Sequence, residues 1–136
     1  MILVDSGYLI ALAKPKDELH PTALAWSRHI HEPLLVSEYV LWEVVNYLSL
    51  LQDRIKVHPL VEQVMNESPF VFLAASIELR DAGLQLHRER PDKEWSLTDC
   101  ISFHLMRERG ITRALAYDIH FEQAGFEALL RKDPPA

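Results

Sequence analysis

The chain opens on an uninterrupted apolar run, Ile2-Leu3-Val4, that stops at Asp5. So short a run predicts a buried strand followed by a turn. A helix fits residues 21–31, with Pro21 at its first position and Leu19, Ala23, Trp26 and Ile30 as its apolar stripe. Leu34-Leu35-Val36 reads as a second strand. Ser37 then caps a segment in which Val40, Val44, Tyr47, Leu48 and Leu51 recur at helical spacing. A further helix fits 59–66, opened by Pro59, and Phe70-Val71-Phe72-Leu73 reads as a third strand. Ser76 caps a helix through Arg90 that Pro91 stops, and Ser96 caps another from Leu97 to Arg109 with Gly110 just past its end. Ile111 to Tyr117 is a fourth strand ending at Asp118. A turn of helix around His120–Ala124 and a last strand near 127–130 close the chain.

Strands alternating with helices of this length predict an α/β fold: a three-layer α/β/α sandwich with a central, mainly parallel sheet. There is no internal repeat and no linker. Residues 1–131 read as one domain and 132–136, with Pro134 and Pro135, as a frayed tail. At 136 residues the chain is long enough to bury a core without disulfides or zinc. Its single cysteine, Cys100, excludes an internal disulfide and any cysteine-based zinc site, and it reads as packed in its helix. No apolar run could span a bilayer and no leader precedes the first strand, so a cytoplasmic protein is expected. The formal charge of −6 excludes a broad basic nucleic-acid surface. A polyanion must therefore be met through a local patch or through cations held by carboxylates.

Ligand sites in open parallel sheets lie beyond the carboxyl ends of the strands. Asp5 ends the first strand there and Asp118 the fourth. Glu43 lies in the second turn after the second strand, and Asp99 in the first turn of its helix. Singly, each has an ordinary reading. Asp5 suits a turn, Asp118 suits a loop, and Ser96-Leu97-Thr98-Asp99 matches a capping box. Glu43, on the flank of an apolar stripe, calls for a partner. Together, four converging carboxylates repel one another unless a cation compensates. Hard oxygen donors suit Mg2+ or Mn2+, and a pair of such ions can activate water and stabilise a leaving oxygen in phosphodiester hydrolysis.

These segments resemble the motifs of the PIN-domain nucleases, in particular the VapC-type toxins of toxin–antitoxin pairs. Ile2-Leu3-Val4-Asp5-Ser6 looks like the first motif, and Ser37 through Val44 like the second, with its acid at Glu43. Ser96 through Ser102 is similar to the third, with its acid at Asp99. Ala114 through Phe121, followed by Ala124-Gly125-Phe126, is similar to the fourth, with its acid at Asp118. The resemblance covers nearly the whole chain. It implies a PIN-like sandwich, Mg2+- or Mn2+-dependent endoribonuclease activity, a homodimer and a possible small antitoxin partner. Asp5, Asp99 and Asp118 would hold metal, Glu43 would act with them, and Ser6 would support the metal shell. One position departs from the pattern: Ala116 stands where the family usually carries Thr or Ser. That loss predicts weakened or metal-selective activity.

Arg80, Arg88, Arg90 and Lys93 lie on or after the helix leading to the Asp99 motif. Arg88, Arg90 and Lys93 are candidate RNA contacts, weighed against an ordinary solvated face. Trp95 suits burial better than base stacking. His20, His58, His87 and His104 read as structural or surface residues. Two alternatives stay open. One is a catalytically weakened PIN-like binding or regulatory module, whose acidic cluster serves structure or partner docking and of which Ala116 is a sign of decay. The other is a haloacid-dehalogenase-like phosphotransferase, disfavoured because Gly7 stands where a second Asp is required.

Overall fold

A computed structural model describes all 136 residues. The elements run β1 (Ile2–Val4), α1 (Ser6–Ala13), α2 (His20–His29), β2 (Leu34–Ser37), α3 (Glu38–Tyr47), α4 (Leu51–Asn66), β3 (Phe70–Leu73), α5 (Ile77–Glu89), α6 (Leu97–Arg109), β4 (Arg113–Leu115), α7 (Ile119–Gln123) and β5 (Glu127–Ala128), closing on a 3-10 turn at Leu129–Arg131. The strands form one sheet in the order β3-β2-β1-β4-β5, and every pairing is parallel. The chain leaves β1 toward β2 on one side and reaches β4 on the other. The switch point, where ligand sites form in such sheets, therefore falls at the carboxyl end of β1.

Alternation along the strands divides the interior into two cores. Ile2, Val4, Leu34, Val36 and Leu115 face α1 to α4, where Tyr8, Trp26, Val44 and Val64 pack. Leu3, Leu35, Ala114 and Ala116 face the other way, onto Trp95, Ile101, Phe103 and Phe121. Burial on both faces explains why the strands read as continuous apolar runs. The three-layer architecture is the one expected. No helix is long and apolar enough to cross a membrane.

Five local expectations are corrected. The segment after Asp5 is not a simple turn but the helix α1, with Tyr8, Leu9, Ile10 and Ala11 all buried. Nearly enclosed, it carries no amphipathic stripe to betray it. The helix expected to open at Pro59 begins at Leu51 and holds Pro59 in its interior, while α3 ends at Tyr47. Leu51 and Ile55 are exposed while the inward positions of the first half of α4 are Asp53 and Val57, so its apolar residues trace no single inward stripe. β4 spans only Arg113–Leu115, and the last strand stops at Ala128. At the other end of the last turn, Trp26 Nε1 donates to the Lys132 carbonyl at 2.8 Å.

Gly83 sets the spacing of α5 against α6. A Cβ built there would stand 2.4 Å from Ile101 Cγ1. Gly83→Val is therefore expected to destabilise the chain by about 2 kcal/mol, read by urea denaturation. An unchanged midpoint would show that α5 and α6 can part freely.

Candidate active site

Asp5 is the residue at which β1 ends and α1 begins, and its N–H donates to the Leu115 carbonyl at 3.1 Å. That bond joins β1 to β4 at the switch point. On the β2 side, Ser37 caps α3 by accepting from the Val40 N–H at 3.2 Å. Glu38 Oε1 accepts from the Ala75 N–H, and the Tyr39 hydroxyl donates to the Ser76 carbonyl. With the start of α3 pinned, Val40, Leu41 and Val44 turn into the core and leave Glu43 half-buried beside them.

Asp99 is buried in the first turn of α6 and does form the capping box: its Oδ2 accepts from the Ser96 N–H at 3.1 Å, and its own N–H donates to Ser96 Oγ at 3.0 Å. Asp118 caps α7, Oδ1 accepting from the His120 N–H at 3.0 Å. The capping reading of Asp99 and its place among converging acids are therefore both true.

The four acids interact. Burial pushes the Asp5 carboxyl up to about 7, and the charges of Asp99, Glu43 and Asp118 add to the push against the Ser6 N–H. Glu43 is raised too, mainly by burial and then by Asp99, while the hydroxyls of Ser6 and Thr98 oppose the rise. No lysine or arginine pairs with any of the four; His120 is the one basic side chain that does. Its Nδ1 lies 3.0 Å from Asp99 Oδ2 and 3.2 Å from Asp118 Oδ1. Ligand atoms of Asp99, Asp118 and His120 all fall within 4.8 Å of one another.

His120 is the site residue that the sequence reading passed over. In the sequence it pairs with no other histidine and with no nucleophile. The available signal was its place two residues past a helix-capping Asp, where the N–H turns back toward the cap. Ala116 is fully buried in the second core and offers no hydroxyl. Asp118 Oδ1 lies 3.2 Å from His120 Nδ1 and accepts from the His120 N–H.

The basic candidates lie outside the cluster of acids. Arg88 is exposed on α5 and donates to Gln85 Oε1. Arg90 is engaged by both carboxylate oxygens of Asp92 and lies over the Trp95 ring. Lys93 follows on the α5–α6 loop. Trp95 itself is buried, edge-on to Phe103, with Nε1 donating to Gln123 Oε1 at 3.1 Å. It is a core residue, as expected, and presents no face for base stacking.

Comparison with known proteins agrees with this geometry. Residues 2–127 match the PIN domain family, and the chain belongs to it. A curated relative, the 23S rRNA-specific endonuclease VapC20 of Mycobacterium tuberculosis, is 28% identical over 128 residues, covering 93% of this chain and 95% of its own. The crystal structure of M. tuberculosis VapC20, described as a sarcin–ricin loop cleaving toxin, superposes with a TM-score of 0.87 at 23% identity, over 94% of this chain and 98% of that one. FitAcB from Neisseria gonorrhoeae matches at 0.68 and 19% identity, over 93% and 95%. These structural likenesses are of fold.

The repulsion around Asp5 has a thermodynamic sign. Its pKa is higher folded than unfolded, so ionisation opposes folding: the penalty is absent below about pH 4, grows through the range to pH 7 and is full above it. In chelator, Asp5→Asn is expected to melt several degrees above the natural chain at pH 8, with the gap narrowing at pH 5. Equal melting at both pH values would mean that the acids do not strain the fold.

Proposed function

We propose that this protein is a divalent-metal-dependent endoribonuclease of the VapC toxin type. The observation that carries the reading is the set of four carboxylates at the switch point, without a lysine or arginine among them. That donor set is hard, anionic and oxygen-rich, and it fits Mg2+ or Mn2+. Asp5, Asp99 and Asp118 would hold the ion, and Glu43 would complete its surroundings. Ser6 would orient Glu43, towards which its hydroxyl already acts. Bound there, the cation supplies charge neutralisation for a scissile phosphate and acidifies water for the attack.

The chain's own part is positional. Asp5, fixed between β1 and β4, and Asp99, fixed by its cap, set the place of the phosphate within narrow limits. The burial that raises Asp5 also keeps the local dielectric low, which strengthens every interaction with a charged ligand. RNA is the substrate class because the curated relative cuts 23S rRNA. Arg88 and Lys93 are proposed phosphate contacts. Arg90, already paired with Asp92, has less to offer.

A small antitoxin and a second copy of the chain are the proposed partners, and the cytoplasm the proposed place of action. Support for a protein partner is the exposed apolar band of Tyr47, Leu50, Leu51 and Ile55 along α3 and α4, with Lys16 and Lys56 beside it.

The test is cleavage of labelled single-stranded RNA in Mg2+, in Mn2+ and in EDTA, beside Asp99→Asn, whose amide oxygen can still accept from the Ser96 N–H. Cleavage that needs the ion and falls at least about a hundredfold in the variant is expected. A folded protein that cuts in neither ion would instead support the binding-module alternative.

A further inference from the structure

His120 has a more particular task than filling space. Its Nδ1 faces one oxygen of Asp99 and one of Asp118, at 3.0 and 3.2 Å. Carboxylate oxygens accept, so Nδ1 carries the hydrogen and donates it to Asp99 Oδ2, with Asp118 Oδ1 close beside the same nitrogen. The protein's other hydrogen bonds to these two acids fall on the same oxygens. Ser96 N–H meets Asp99 Oδ2, and His120 N–H meets Asp118 Oδ1. Asp99 Oδ1 and Asp118 Oδ2 are left without a hydrogen bond from the protein. The imidazole is itself fixed, because α7 starts at the Asp118 cap and Phe121, the next residue, is fully buried against Phe103.

We infer that His120 is a positioning residue: with Nδ1–H bonded to Asp99 Oδ2 and Asp118 Oδ1 held beside the same ring by the His120 backbone N–H, it fixes the two acids so that their second oxygens are available together to a divalent cation. Without it, nothing cationic stands between the two carboxylates, and repulsion would swing the exposed Asp118 away. This inference rests on reading the acids as a metal site. It also accounts for Ala116, since Asp118 takes its orientation from His120 and needs no hydroxyl just past β4.

The experiment is Mn2+ binding to the full chain, followed by electron paramagnetic resonance, for the natural protein and for His120→Ala, His120→Gln and His120→Asn. The Asn amide N–H falls near the place of Nδ1–H, whereas the Gln amide falls near Nε2. Expected is a weakening of Mn2+ affinity of about ten- to a hundredfold for Ala and Gln, with Asn within about threefold of the natural chain. Raised Mn2+ should then restore RNA cleavage by His120→Ala. Melting curves monitored by circular dichroism separate this from loss of fold: a merely structural histidine would lower the melting temperature of all three variants and leave the affinity of the folded protein unchanged. Natural affinity in His120→Ala would overturn the inference, as would rescue by Gln and not by Asn, which would make Nε2 the working atom. A natural chain that binds no Mn2+ would overturn the metal reading itself and this inference with it. Binding by the natural chain with unaltered variants would overturn the inference alone.

Discussion

Asp5 stands among Asp99, Glu43 and Asp118, and burial, compounded by their charges, pushes the Asp5 carboxyl up to about 7. Such a cluster opposes folding, so the remainder of the structure has to hold it closed. Much of the architecture can be understood from that requirement. The acids are not carried on free loops. Asp5 is bonded through its N–H to β4, Glu43 rides on a helix whose first turn is tied down at Glu38 and Tyr39, and Asp99 is locked into a capping box. Each backbone position is set by the sheet or by a helix end before any ligand contributes.

The two cores share this work. Ile2, Val4, Leu34 and Val36 press β1 and β2 onto α1 to α4, while Leu3, Leu35 and Ala114 press β1, β2 and β4 onto α6 and α7. A strand buried on both faces has little freedom to slide or twist. Phe103 matters in particular, because it contacts Trp95, Phe121 and Phe126 at once. It thereby joins the approach to the Asp99 cap to the helix that carries His120. Gly83 lets α5 approach α6 closely behind the same cap. The precision of the acids is thus inherited from apolar packing that never touches a ligand.

The sequence makes some of this readable and hides the rest for definite reasons. Ser37, Ser76 and Ser96 announce the helix starts, and all three side chains do accept the N–H three residues on. The strands and their alternation with helices are enough to place Asp5 and Asp118 on one edge. The helix α1 is hidden because an enclosed helix has no polar face, and the first half of α4 because Leu51 and Ile55 point outward while a charged residue, Asp53, is buried beside Val57. Pro59 reads as a start because proline is common there, yet a helix held by neighbours tolerates it further in. His120 escapes for another reason. Its role exists only once α6 and α7 are packed together, since Asp99 and His120 are 21 residues apart in the chain.

Helix capping and the proposed cation binding would draw on different oxygens of the Asp99 and Asp118 carboxylates. A carboxylate has two oxygens and about four lone-pair directions. At Asp99 the helix cap and the imidazole draw on Oδ2, and at Asp118 the cap and the imidazole draw on Oδ1. A helix N-terminus also carries partial positive charge, which steadies an ionised acid within its first turn. Capping therefore removes one degree of freedom from each acid, lowers the electrostatic strain of gathering them, and leaves the opposite oxygen unspent. On this view the cap is what makes the acid usable. A free aspartate on a loop would have to be ordered by the cation it binds, and affinity would fall by the entropy of that ordering.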